Sequence, residues 1–345
     1  MKREKRWMVY GAHGYTGQLV VEEAQRKGLE PVLAGRDAES VERLSTATGL
    51  ESRRFSLDEG FDEELADIEA VLHCAGPFVR TSRPMVDACI RTGTHYLDVT
   101  GEIAVFESIM SRDREASEAN VSLIPGVGFD VVPTDCLAAR LSSDVQGATH
   151  LVLAFSSRRG GISRGTLKTM IEGIGEGGAI RRDGRIESVP FAWDVREIPF
   201  ESGSRLAMTI PWGDVSTAYH TTGIPNIRVY SSASPRAVRR MKRIRPLLPI
   251  ASLPPVKWLL LRLADRQDGP DADQRSESWI DLWGEASNDA GERASRTMRV
   301  SEGYTFTAAS AVLATERVLG GIASGSLTPA KAFGPDFVDD VMRAT

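Results

Sequence analysis

Short apolar runs alternate with helix-length amphipathic stretches through the first 125 residues. Trp7–Tyr10 is an apolar run ending in Gly11, and residues 15–27 read as a helix stopped by Gly28. A second run covers 31–34. Ala38–Thr48 follows as a helix with Val41 and Leu44 on one face and Gly49 at its end. A third strand is expected over 53–57, a fourth over 70–74 and a fifth over 95–99. The spacing predicts a helix over 83–92, with Met85, Val86, Cys89 and Ile90 inward, then a helix over 103–119 and a strand over 121–124. Strands every 20 to 30 residues with helices between them imply βαβ units. Right-handed crossovers then give a doubly wound parallel sheet.

The pattern changes after about residue 130. Helices are expected over 132–142 and 166–174, and an apolar strand over 149–156. Asp183-Gly184, between Ile180 and Ile186, suits a tight hairpin turn. Runs at 278–286 and 295–300 flank a second turn at 288–291. The expectation is an α/β chain whose second domain is α+β with an antiparallel sheet. The boundaries are 1–130 for the first domain, 131–302 for the second, and 303–345 for a helical segment. Residues 306–319 supply its helix, and residues 266–274 are expected to be disordered.

Composition narrows the function classes. With 42 Lys and Arg against 47 Asp and Glu the net charge is −5, which argues against a nucleic-acid partner. Three cysteines without a CxxC pair and five scattered histidines give neither a disulfide scaffold nor a metal site. No apolar run is long enough for a signal-peptide core or a membrane span. A cytoplasmic enzyme is the expectation.

The strongest motif is Gly11-Ala12-His13-Gly14-Tyr15-Thr16-Gly17, between the first strand and the first helix. Gly11 permits the sharp turn, Gly14 permits backbone approach to a pyrophosphate, and Gly17 permits close helix packing. The helix N-terminus presents N–H groups to the phosphates. His13 either covers the phosphates or is a solvated loop residue. The second strand ends Gly35-Arg36, where an NAD site usually carries an acid; a small residue and a guanidinium favour the 2′-phosphate of NADP. The fourth strand runs out into Ala75-Gly76-Pro77. That loop borders the cofactor crevice if strand order reverses between the first and fourth strands.

Taken together, GAHGYTG, LAGR (33–36), CAGPF (74–78), YLDVTGE (96–102) and GFDVVPTD (128–135) resemble the saccharopine dehydrogenase-like oxidoreductases. Glu302-Gly303-Tyr304 and Leu327-Thr328-Pro329-Ala330 extend the resemblance over nearly the whole chain. The similar branches contain bacterial trans-acting enoyl reductases of lipid biosynthesis and saccharopine dehydrogenase-like oxidoreductases of animals. The resemblance implies NADP(H), a Rossmann domain, a middle substrate domain and a C-terminal helix returning to the first domain.

Hydride transfer leaves the protein to place the nicotinamide, exclude water and donate a proton. No tyrosine is followed by lysine four residues later, which excludes the short-chain dehydrogenase pair. Tyr96, Asp98 and Asp130 are the catalytic candidates. Tyr96, Asp98 and Thr100 share one face of the fifth strand. The bland alternative makes Asp98 and Thr100 caps of the next helix, with Glu102 beginning it. Asp130 either contacts substrate or fixes a turn. Cys74 and Cys136 read as core residues.

Residues 236–263 join a basic run to a Trp- and Leu-rich stretch. That suits contact with anionic lipid, an entrance for an acyl substrate, or a solvated face before a core helix. The leading expectation is an NADPH-dependent reductase of a hydrophobic, lipid-like enoyl substrate, with a long apolar cleft opening beside 246–263. The alternatives are an amino-acid C–N reductase using Arg158, Arg159 and Arg164, and a non-catalytic NADP-binding or membrane-associated protein. The expected partners are a small molecule, a membrane surface touched peripherally, and a second copy in a homodimer.

Overall fold

A computed structural model describes residues 5–158, 163–175, 177–264 and 269–345. The chain begins β1 (Trp7–Tyr10), α1 (Tyr15–Arg26), β2 (Val32–Gly35), α2 (Ala38–Thr48), β3 (Ser52–Arg54), α3 (Asp62–Leu65) and β4 (Ala70–His73). It continues α4 (Phe78–Thr92), β5 (His95–Asp98), α5 (Ile103–Met110), α6 (Asp113–Glu118) and β6 (Ser122–Ile124). Next come α7 (Val132–Asp144), β7 (His150–Arg158), α8 (Arg164–Glu172), β8 (Gly178–Arg182), β9 (Arg185–Val189), β10 (Val195–Phe200), β11 (Gly203–Thr209) and α9 (Asp214–Thr222). Then follow β12 (Asn226–Ser232), α10 (Pro235–Ile244), α11 (Leu248–Ala251), α12 (Pro254–Ala264), α13 (Ala272–Ser276), β13 (Trp279–Ser287) and β14 (Arg293–Ser301). The chain closes with α14 (Gly303–Gly320), β15 (Gly325–Ser326), α15 (Pro329–Phe333) and α16 (Phe337–Ala344). It divides into two units: residues up to Val132 with Tyr304–Thr345, and Pro133–Gly303.

The first unit holds a parallel seven-stranded sheet in the order β15-β6-β5-β4-β1-β2-β3. β1, β2 and β4 are buried along their whole length, as expected of strands covered on both faces. α1 buries Gly17, Val20, Val21 and Ala24 on one face. α2 is capped by Asp37, whose carboxylate accepts from the Ser40 amide at 3.1 Å, and it ends at Gly49 with φ 74°. Order reverses between β1's two neighbours, β2 and β4, so the crevice of a doubly wound sheet opens above their C-terminal ends.

Two local expectations change. The helix expected over 103–119 is broken into α5 and α6, and Arg112 at the break is ion-paired to Asp87 and Glu115. α4 starts at Phe78, five residues before the expected start, with Pro84 inside it. The extra turn is stabilised from a distance: the Glu102 carboxylate accepts from the Phe78 and Val79 amides at 2.9 and 2.7 Å.

The second unit is an eight-stranded sheet with the path β10-β11-β12-β7-β13-β14, and the β8–β9 hairpin attached to β12. It is mixed rather than purely antiparallel, because β7 and β12 run parallel. The hairpin turn at Asp183-Gly184 has φ of 47° and 76°, the left-handed pair that a two-residue turn requires. α7 lies on β13: a Cβ at Gly284 would come within 2.6 Å of the Leu141 side chain. Ala154, Ile198, Phe200, Ala207, Tyr230 and Trp283 form a buried cluster on this sheet. Of the segment expected to be disordered, residues 266–268 lie outside the described residues. Residues Ala272–Ser276 are helical, with Asp271 accepting from the Gln274 amide at 2.8 Å.

Candidate functional site

The glycine turn is built by steric necessity. Gly11 has φ 84°, and a Cβ there would stand 2.8 Å from the Cβ and backbone nitrogen of Ala75. The loop leaving β1 therefore abuts the loop leaving β4 at Ala75, which Gly76 and Pro77 follow. The Gly76-Pro77 peptide is cis. A Cβ on Gly17 would fall 2.3 Å from the Gly11 carbonyl oxygen and 2.8 Å from that of Ala12. That contact seats α1 directly on the turn. Gly14 is the N-cap of α1, with φ −71°, no side-chain cap and no acid in the first turn that follows. The first turn of α1 thus has neither a capping side chain at Gly14 nor an acid of its own beside its amides. Gln18 holds the loop by donating to the His13 carbonyl at 2.8 Å.

His13 is half-buried and lies over the end of β2, where a Cβ at Gly35 would come within 3.0 Å of its Nδ1. It closes the floor between the glycine turn and Arg36. Arg36 is exposed and makes no ion pair among the described residues. Arg54, in register with Gly35 on the neighbouring strand, is likewise exposed and without an ion pair among them. The ends of β2 and β3 thus carry two uncommitted cations, where an acid would select NAD. Periodicity gave Arg54 no signal, because only the register of β2 on β3 brings it beside Gly35.

The β4 exit is braced by residues that the local pattern does not reveal. Thr81 Oγ1 donates to the Ala75 carbonyl at 2.7 Å, so His73 Nε2 donates to Thr81 at 3.0 Å and the ring keeps its proton on Nε2. Burial drives the His73 pKa down to about 3, leaving the ring neutral. Burial, reinforced by Asp98, pushes the Cys74 thiol up to about 12, so it is not a thiolate nucleophile. Tyr15 meets Tyr304 edge-on at 4.9 Å, and Thr307 accepts from the Phe129 amide at 3.0 Å. These contacts place the start of α14 against the glycine turn and the 126–129 loop. The motif around Tyr304 foreshadowed a helix there, but not its neighbours.

The three catalytic candidates stand in different surroundings. Tyr96 and Asp98 are fully enclosed. The Tyr96 hydroxyl donates to Asp98 Oδ2 at 2.7 Å, and Oδ1 accepts from the Thr100 and Gly126 amides at 3.0 and 2.8 Å. Asp98 thus ties the end of β5 to the loop leaving β6, and it caps no helix. Glu102 serves α4 as well as standing at the N-cap of α5. Desolvation outweighs the three hydrogen bonds and raises the Asp98 pKa to about 6. Asp98→Ala strands two buried amides and should cost about 3 kcal/mol in a denaturant titration, because each unsatisfied buried donor costs about 1–3 kcal/mol. Asp98→Asn can still accept from both amides through its oxygen and donate to Tyr96, so it should cost under about 1 kcal/mol. The linkage has a definite sign. The folded pKa is raised, so the Asp98 contribution is complete below an unfolded value of about 4 and fades as pH climbs through about 6. Asp98→Asn should remove that part of the slope.

Asp130 is the opposite case. It is partly exposed, and it has no hydrogen-bond or ion-pair partner among the described residues. A Cβ on Gly101 would lie 2.6 Å from its Oδ2, so the missing side chain after β5 makes room for the carboxylate. Burial alone raises its pKa to about 6. Asp135 accepts from Thr221 at 2.5 Å, and Thr134 donates to Asp214 at 2.8 Å. Thr134 lies within α7 rather than capping it. Arg164 is exposed at the start of α8, and Arg159 lies outside the described residues.

Residues 7–124 match the saccharopine dehydrogenase NADP-binding domain. The chain carries a saccharopine dehydrogenase NADP-binding domain in its first unit. Its first unit is an NADP(H)-binding domain, and the glycine turn, the uncapped α1 and the unpaired Arg36 are what such a cofactor needs. The mouse saccharopine dehydrogenase-like oxidoreductase is 30% identical over 202 residues, covering 51% of this chain and 47% of that protein. The trans-acting enoyl reductase of Mycobacterium leprae is 33% identical over 175 residues, covering 46% of this chain and 42% of that protein. The chain therefore spans about half the length of the curated relatives it matches. In these two relatives the aligned stretch covers about half of this chain. The fold likeness is broader. The saccharopine dehydrogenase (L-Glu forming) of Saccharomyces cerevisiae superposes with a TM-score of 0.62 at 13% identity, covering 99% of this chain and 96% of that one.

Proposed function

We propose that the chain is an NADPH-dependent reductase of a hydrophobic, lipid-like enoyl substrate, with Asp130 as its proton donor. The observation that carries this reading is the pairing, within one unit, of an uncapped glycine turn beside Arg36 with an unpartnered carboxylate near neutrality. The relatives named trans-acting enoyl reductase support the enoyl class. Bound NADPH would supply a hydride from its nicotinamide ring. The amides of Tyr15, Thr16 and Gly17 hold the diphosphate, Arg36 and Arg54 hold the 2′-phosphate, and the loop of Ala75, Gly76 and Pro77 walls the crevice. Asp130, protonated below about pH 6, delivers the proton that completes reduction of the double bond. Tyr96 and Asp98 are positioning residues that fix the β5 and β6 exits around it.

Asp130→Asn should lower turnover of a long-chain 2-enoyl thioester about 100-fold or more, since general acid catalysis contributes about 10²–10⁴. NADPH affinity should be unchanged. In the native protein kcat should fall as pH rises through about 6, because the reactive form of Asp130 is the protonated one. Loss of NADPH consumption is the readout. Undiminished turnover by Asp130→Asn would remove it as the donor. Consumption with an oxo acid plus an amino acid, and none with any enoyl thioester, would replace the enoyl assignment with a C–N reductase.

A further inference from the structure

Of the nine large apolar side chains exposed among the described residues, six lie within one short stretch of the second unit: Leu247, Ile250, Leu253, Trp258, Leu259 and Leu263. α12 explains why they face outward. Lys257 is ion-paired to Glu172 of α8 at 2.6 Å, and a Cβ on Gly175 would meet Ser252 at 2.9 Å. The helix is therefore pinned on the side of Val256, Lys257, Leu260 and Ala264. Trp258, Leu259 and Leu263 occupy the other face, with the Arg262 guanidinium 4.4 Å from the Trp258 ring. An apolar face turned to solvent is unusual for a soluble helix, and a contiguous one marks an interaction surface.

The preceding helix supplies the charge. On α10 only Val238 is buried, whereas Arg236, Arg239, Arg240 and Arg243 recur at the i, i+3, i+4 and i+7 spacing on the opposite face. All four are exposed and lack an acidic partner among the described residues. Residues 235–263 contain eight Lys or Arg and no Asp or Glu, within a chain of net charge −5. A second copy would set like charge against like charge. The two features together match an interface that is negative at its surface and apolar beneath.

We propose that α10 to α12 form a docking surface for anionic phospholipid membranes, with the α10 arginines on the headgroups and Trp258, Leu259 and Leu263 at the acyl boundary. The chain lies on the membrane and does not cross it: among the described residues no helix is long and apolar enough to do so.

The test is co-sedimentation of the whole chain with phosphatidylcholine vesicles, with and without added phosphatidylglycerol, at low and high salt. Binding should require phosphatidylglycerol and weaken at least tenfold in high salt. The triple variant Arg239→Glu, Arg240→Glu, Arg243→Glu should weaken it at least tenfold, and so should the double variant Trp258→Ser, Leu259→Ser. NADPH titration of the same preparations reports intact folding, and it tests the reductase reading separately. Vesicle binding that ignores phosphatidylglycerol, no vesicle binding, or a concentration-dependent dimer that shields Trp258 would each overturn the proposal.

Discussion

Gly17→Ala should lose both stability and cofactor. The added carbon would lie 2.3 Å from one backbone oxygen and 2.8 Å from another, and neither belongs to a flexible side chain that can swing away. α1 must lift off the turn. Overpacking of this kind costs about 1–3 kcal/mol, and contact with rigid backbone puts this case at about 3 kcal/mol or more. The same displacement withdraws the first-turn amides from the diphosphate. Two hydrogen bonds to a charged group, at about 1.5 kcal/mol each or more, correspond to about a 100-fold loss of NADPH affinity. Gly14→Ala is the informative control. Its φ of −71° is open to alanine, and its nearest contact would be 3.2 Å. That variant should keep nearly all of its thermal stability and lose about tenfold in NADPH affinity, because its methyl group would project where the diphosphate approaches. Thermal unfolding and calorimetric titration of the two variants separate the steric cost of folding from that of binding.

Arg36→Asp should invert cofactor preference with almost no effect on stability. Arg36 is exposed and has no ion pair among the described residues, so the fold loses nothing with it. The substitution removes charge-assisted hydrogen bonds to the 2′-phosphate and adds a repelling carboxylate. It also provides the acceptor that ribose hydroxyls need. The ratio of NADPH to NADH affinity should fall by about 100-fold or more, since bonds to charged groups are worth about 1.5–3 kcal/mol each. Arg54→Ala should shift the same ratio in the same direction by a smaller amount. An unchanged ratio in Arg36→Asp would place the 2′-phosphate elsewhere.

What could be read along the chain was whatever is local. The short apolar run of β1 and the period-3.6 patterns of α1 and α2 coincide with the observed elements, because each carries its own stop: Gly11, Gly28 and Gly49 all have positive φ. The Asp183-Gly184 hairpin was legible for the same reason. The early start of α4 was not, since its cap is a carboxylate 24 residues further on. Asp98 shows the same limit. Its position suggests a helix cap or a catalytic acid, but its hydrogen bonds run to Tyr96, Thr100 and the distant Gly126. Nothing in local spacing separates Asp98 from Asp130. The difference lies in Gly101 and Gly126, one leaving a gap beside a carboxylate and the other offering it an amide. The exposed face of α12 was ambiguous too: a Leu- and Trp-rich helix reads as core until the pinned side is known.

Binding of NADP(H) at the start of α1 is open to calorimetric titration of the unmodified chain with NADPH and NADH. Saturable heat is expected with both coenzymes at one site, with NADPH the tighter by at least about tenfold, as the added phosphate contacts require. No heat with either coenzyme, or equal affinities for the two, would contradict it.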